Sequence, residues 1–142
     1  MGEYMKFVKT TKMNIEILED QEKQLSSREK INKVIFNNDV IAFDIYENED
    51  LIGFAMLKQF DKNKFFLWDY AIDFRYQNQG FGFKALKELI EFLKTEYDCK
   101  LITTTYKIGN EIACGLYKKV GFKERDVVDD GDIKEVNMQL EC

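Results

Sequence analysis

Histidine and proline are both missing from these 142 residues. Without histidine, proton transfer near neutral pH falls to carboxylates, tyrosine, cysteine, lysine or water. Without proline, turns rest on glycine, asparagine and aspartate. Glycine is itself scarce, with 8 in the chain, yet Gly80 and Gly82 stand almost side by side. Cysteine is rare and odd in number: Cys99, Cys114 and Cys142 are far apart, which reads as reduced thiols of a cytoplasmic protein rather than a disulfide frame or a zinc site. No apolar run approaches the roughly 20 residues that span a bilayer. The opening "MGEYMKFVKTT" lacks the basic-then-apolar layout of a secretion signal, and Lys6 stands where a myristoylation motif wants Ser or Thr. Positive charge is also in deficit: 21 Lys and Arg against 26 Asp and Glu give a formal net charge of −5. That balance argues against nucleic acid as the main partner and is compatible with a cationic substrate.

What the chain does have is greasy surface. Apolar residues make up 45% and aromatics 14%, enough to fold one domain over residues 1–142 around one core. Met5–Lys9 reads as a first strand. Met13–Phe36 reads as mixed helix, with Ser26 or Ser27 as a cap and Ile31, Val34 and Ile35 as the apolar stripe. Val40–Glu47 and Leu51–Lys58 flank "ENED" as a hairpin, and "FFLWDYAI" follows after the turn "DKNK". From Gly80 to Tyr97 the period changes to that of a helix, with Phe83, Leu86, Ile90, Leu93 and Tyr97 on one face and Lys84–Glu88 and Lys87–Glu91 paired on the other. "KLITTTY" is a strand. "NEIACGLYKKV" is a second helix, capped by Asn110 and ended by Gly121, with Ile112, Ala113, Leu116 and Val120 inward. A closing hairpin turns at Asp130-Gly131. The strand–helix–strand passage needs a parallel crossover, so the fold class is an α/β mixed sheet, mostly antiparallel and of about seven strands, with helices on both faces.

The stretch "RYQNQGFGFKAL" lies between a strand ending at Ile72 and the long helix. It matches neither the G-x-G-x-x-G dinucleotide pattern in its proper setting nor a Walker A loop. Main-chain N–H groups at a helix N-terminus carry partial positive charge, and glycines let an anion approach them. The stretch therefore offers a seat for a pyrophosphate, with a plain glycine-softened helix start as the alternative.

Gln77-Asn78-Gln79-Gly80-Phe81-Gly82 matches the acyl-CoA signature [Q/R]-x-x-G-x-[G/A], and Asn110, Ala113, Leu116, Tyr117, Gly121 and Phe122 match a second motif at the expected separation. On these two motifs the chain resembles the GNAT superfamily of N-acetyltransferases, best from Asp39 to Phe122. "IGFAML", "AIDFRYQNQGFG" and "LYKKVGF" look most like its bacterial polyamine and diamine branch. The resemblance implies acetyl-CoA as cosubstrate and no metal. It implies that the main chain of Tyr70, Ala71 and Ile72 pairs with the pantetheine arm. The pyrophosphate would sit on the loop from Gln77 and on the amides of Asn78, Gln79, Gly80, Phe81, Gly82 and Phe83, with Asn110 touching the cofactor or the amine. Tyr117 would protonate the leaving thiolate, its alternative being a core aromatic. Such relatives carry an acid nine positions before the loop's Gln, which here is Trp68; the acid stands one step on, at Asp69. A slip of one residue reverses a side chain's facing unless a bulge restores it. Asp69 is the candidate base if it is buried; if it faces solvent, water must strip the amine. The implied activity is acetyl transfer to a primary amine of a small molecule, a polyamine or diamine being the nearest class. The alternatives are acetylation of a protein N-terminus or lysine, or a non-catalytic acyl-CoA-binding module. By analogy with the family, a homodimer is expected.

Overall fold

The computed structural model describes residues 5–22, 25–129, 131, 132 and 134–142. In chain order the elements are β1 (Met5–Lys9), α1 (Glu19–Glu22), α2 (Arg28–Val34), β2 (Val40–Glu47), β3 (Asp50–Asp61), β4 (Lys64–Ile72), α3 (Phe81–Tyr97), β5 (Leu101–Lys107), α4 (Glu111–Val120), β6 (Lys123–Asp129) and β7 (Lys134–Glu141). A single 3-10 turn, Phe74–Tyr76, links β4 to the glycine stretch. The seven strands form one sheet in the order β1-β2-β3-β4-β5-β7-β6. All neighbours are antiparallel except β4 and β5, the pair joined by the α3 crossover.

The alternation of side chains along β2 and β3 divides the core in two. Phe43, Ile45, Ala55 and Leu57 face α3 and α4, where they meet Leu86, Leu89, Leu93 and Tyr117. Ala42, Phe54 and Met56 face the other way, toward Met13, Ile15, Ile31 and Ile35 around α2. β3 is buried on both faces from Ile52 to Leu57, which is why "IGFAML" reads as a continuous apolar run.

Helix ends follow the local chemistry. Ser27, one of the two serines expected to cap, accepts the Lys30 N–H and starts α2. Asn110 caps α4 through the Ala113 N–H, and Gly121, at φ 124°, closes it as a C′ residue. Two expectations about helix faces change. Ile112 is 84% exposed, not inward: the packed stripe of α4 runs Ala113, Leu116, Tyr117, Val120, and Ile112 is rotated a full residue off it. On α3, Ala85 and Leu89 share the buried face, whereas Phe83 is half-exposed with Lys87 and Lys119 over its ring at 5.4 and 4.5 Å. Lys84 pairs across to Glu47 on β2 at 3.0 Å, and Glu91 pairs with Lys94. In the closing hairpin Gly131 sits at φ 93°, while Asp130 lies outside the described residues.

Candidate functional site

β4 and β5 run together over four residue pairs, Lys64–Leu67 against Leu101–Thr104. Beyond them the strands part: β4 continues to Ile72 bonded to β3, and β5 continues to Lys107 bonded to β7. The result is a wedge in the sheet, edged by Trp68–Ile72 on one side and Thr105–Lys107 on the other. At its apex the buried Thr104 hydroxyl donates to the Leu67 carbonyl at 3.0 Å.

A bulge sits at the same point. Leu57 pairs with Leu67 and the next residue, Met56, pairs with Asp69, so Trp68 is the extra residue. The bulge turns Asp69 toward α2, the face of Met56, where its Oδ1 accepts the Ser26 N–H at 2.8 Å. Asp69 is 3% exposed, and its Oδ2 has no hydrogen-bond partner among the described residues. It does not face solvent. Burial raises the Asp69 pKa above the ordinary carboxylate value, against the opposing hydrogen bonds of Ser26 and the charge of Lys30. Ser26 also lines a cavity of about 510 Å³ with Met13, Ile17, Leu25 and Glu19.

Tyr117 approaches from the opposite face, from α4, packed on Phe122 with ring centroids 5.5 Å apart. Burial pushes its phenol pKa up, a hydrogen bond with Thr104 works the other way, and the charge of Asp69 adds to the rise. The phenol thus stays protonated through the neutral range and lies within electrostatic reach of Asp69 across the sheet. Tyr70, next to Asp69 on β4, faces the α3 side and donates from its hydroxyl to the Gly82 carbonyl at 2.6 Å. That bond ties the first turn of α3 to β4; a side chain at Gly82 would meet Ile72 Cγ1 only at 3.9 Å.

The N-cap of α3 is Gly80, which makes no side-chain cap hydrogen bond. Its first main-chain bond of the helical kind runs from Lys84 N–H to the Gly80 carbonyl at 3.2 Å, so the amides of Phe81, Gly82 and Phe83 precede the ladder. Gly80 takes φ 84°, a conformation that glycine tolerates, and a Cβ there would meet no atom within 4 Å. Asn78 also has positive φ, 62°. No acidic residue lies in the first turn of α3, and Lys84, Lys87 and Lys119 stand nearby in an otherwise acidic chain. This is the character of an anion seat.

Several motif side chains have internal tasks. Gln77 and Gln21 exchange amide hydrogen bonds at 2.6 and 2.8 Å, and Gln77 Nε2 also donates to the Ile72 carbonyl at 2.9 Å. Gln79 Nε2 donates to the Arg75 carbonyl at 3.2 Å, Phe81 packs on Tyr76, and Asn110 Oδ1 holds the Ala113 N–H. Asp73, just past the end of β4, caps the 3-10 turn and accepts the Glu16 N–H. Its burial alone would raise its pKa, but Arg75 and the N–H groups of Glu16 and Arg75 bring it below the ordinary value. Ala71 and Ile72 complete the wedge edge of β4. Sequence reasoning missed the Thr104 stitch, the Gln21–Gln77 pair and the Lys84–Glu47 pair. Each joins residues at least 37 positions apart, beyond any local pattern.

A mixed sheet that opens between two parallel strands, beside an uncapped glycine-rich helix start, defines the architecture of an acyl-CoA-binding transferase. The acetyltransferase (GNAT) family matches residues 8–122, and the chain belongs to that family. The spermine/spermidine N(1)-acetyltransferase of Bacillus subtilis (strain 168) is 40% identical over 86 residues, and the probable spermine N(1)-acetyltransferase of Bacillus subtilis subsp. natto (strain BEST195) is 38% identical over 86 residues. Each match covers 56% of this chain and 57% of the relative's length. Among solved structures, spermidine N-acetyltransferase from Vibrio cholerae in complex with CoA and spermine superposes with a TM-score of 0.66 at 20% identity, covering 80% of this chain and 72% of the other. A dodecameric structure of the same enzyme reaches 0.69 at 16% identity, covering 96% and 93%. At these identities the solved structures bear on the fold.

Proposed function

We propose that this chain acetylates a primary amine of a small polyamine or diamine, by direct attack on acetyl-CoA without an acyl-enzyme. The carrying observation is the placement of Asp69 and Tyr117 on opposite faces of the sheet at the apex of one wedge. Acetyl-CoA supplies the acetyl thioester. Its pyrophosphate would lie on the amides of Asn78 through Phe83, because they carry partial positive charge and, among the described residues, a Cβ built on Gly80 meets no atom within 4 Å. The wedge edge of β4, Tyr70 to Ile72, offers main-chain groups to an extended arm. A strand-edge N–H there polarises the carbonyl. Asp69, with a desolvated carboxylate and a free Oδ2, takes a proton from the amine on the α2 side. Tyr117, kept protonated by its burial, returns one to the thiolate on the α4 side. The two sides assign separate approaches to amine and thioester.

The preference for polyamines rests on the two Bacillus relatives and on the net charge of −5. A homodimer belongs to the same reading: β6 is a sheet edge exposed along its length, with Val127 and Val128 bare. A cytoplasmic location belongs to the same reading. The test is thermal unfolding with acetyl-CoA, CoA and NAD, followed by an amine panel assayed by thiol release. Ligand at about 100 times its Kd adds about 2.7 kcal/mol, which at about 0.3 kcal/mol/K for 142 residues raises Tm by about 9 °C. A shift with NAD but not with either CoA compound, or a folded protein that turns over no amine, defeats the proposal.

A further inference from the structure

The bulge at Trp68 has a second effect. A bulge can bring two consecutive side chains to one face of a sheet, and here Trp68 joins Asp69 on the α2 side, packed against the cluster of Ile31, Ile35 and Met56. Facing them is the first turn of α2. Lys30, whose N–H is held by Ser27 Oγ at 3.1 Å, lays its ammonium 5.2 Å from the centre of the Trp68 ring. An indole face attracts cations. The neighbouring carboxylate of Asp69 is buried and has an oxygen without a partner among the described residues. Aromatic face and carboxylate together make a place where positive charge is favoured, and the protein's own lysine is there. Lys30 is exposed and rides on a flexible four-carbon stem, so its ammonium can leave for solvent.

We propose that the Trp68 ring is the seat for a second ammonium of the acceptor, and that Lys30 is a tethered occupant which the incoming polycation displaces. This rests on the acetyl-transfer reading for the first amine, which Asp69 receives. Side chains leaving adjacent Cα atoms, about 3.8 Å apart, suit amines separated by a few methylenes. A monoamine fills one place; a diamine or polyamine fills both. Selectivity between these classes is then set by Trp68 and opposed by Lys30.

Trp68 is the only tryptophan in the chain, so its emission reports on the seat without any turnover. Spermidine and butylamine are titrated at ionic strength matched with sodium chloride, with and without CoA. The expected result is a saturable change in Trp68 emission with spermidine and none with butylamine. In Lys30→Gln the half-saturation point for spermidine falls about two- to fivefold, the range of an exposed cation–π contact. The ratio of kcat/KM for spermidine to that for butylamine rises in Lys30→Gln. It falls in Trp68→Leu, which keeps apolar packing but loses the π face. Turnover of spermidine with silent emission, or a ratio that moves in neither variant, overturns the seat and leaves acetyl transfer standing. A saturable emission response in a protein that acetylates no amine supports the seat and removes the acetyl-transfer reading.

Discussion

Replacing Asp69 with Asn separates a carboxylate kept for chemistry from one kept for structure. Asp69 Oδ1 accepts the Ser26 N–H at 2.8 Å, and Asn retains that acceptor. What Asn cannot do is ionise. Burial makes the Asp69 carboxyl harder to ionise in the folded chain than its ordinary value of 3.8. An acid of raised pKa favours the fold while protonated; that contribution is complete below the unfolded pKa and is lost as pH rises through the folded one. Wild type therefore gives up stability between acid and neutral pH that the Asn variant keeps. Every tenfold in proton affinity is about 1.4 kcal/mol. With an unfolding entropy of about 0.3 kcal/mol/K for 142 residues, it is about 5 °C in Tm. The cost of seating an amide NH2 where Oδ2 now sits is independent of pH and cancels from the slope. Calorimetry at a series of pH values should show the Tm of Asp69→Asn gaining on wild type from below 3.8 to neutrality, while turnover falls. A gap that stays flat, or closes as pH rises, would falsify the argument from desolvation.

Tyr117→Phe removes the proton donor and leaves the ring against Phe122; turnover should drop by about 10²-fold or more with acetyl-CoA affinity nearly intact, as measured by steady-state kinetics beside calorimetric titration. Affinity lost at normal turnover would contradict the donor role. Tyr70→Phe deletes the 2.6 Å bond to the Gly82 carbonyl, at about 1 kcal/mol and about 3 °C in Tm. Because that bond holds the first turn of α3, acetyl-CoA should also bind more weakly; unchanged Tm and unchanged affinity together would mean the turn is held by other contacts.

What could be read from the chain was whatever is local in it. The period of α3, the Asn110 cap, the Gly121 stop and the bounds of β1 and β2 each depend on residues a few positions apart, and each stands in the structure. The parallel crossover followed from connectivity alone. Ile112 went astray because the inward face of a short helix is set by what lies beneath it; hydrophobicity nominated it, but Tyr117 was the residue above the core. At the site, the motif hid a division of labour: the Gln77 side chain braces α1, whereas the N-cap of α3 is a glycine with no side chain to cap it. The facing of Asp69 hung on a bulge whose position is decided by the pairing of Met56 and Leu57, residues on another strand. No pattern within β4 could locate it.

The short contact between β4 and β5 has a mechanical consequence. Beneath the crossover helix, this line of the sheet is bridged by the ladder from Lys64 to Leu67, by the Lys100 and Leu101 N–H groups on the Asn63 carbonyl, and by the Thr104 stitch. It is a seam, with four strands on one side and three on the other. Any molecule lodged in the opening acts as mortar between the two slabs. Occupancy should accordingly be felt far from the contact itself, as slowed amide exchange spreading outward along both strands.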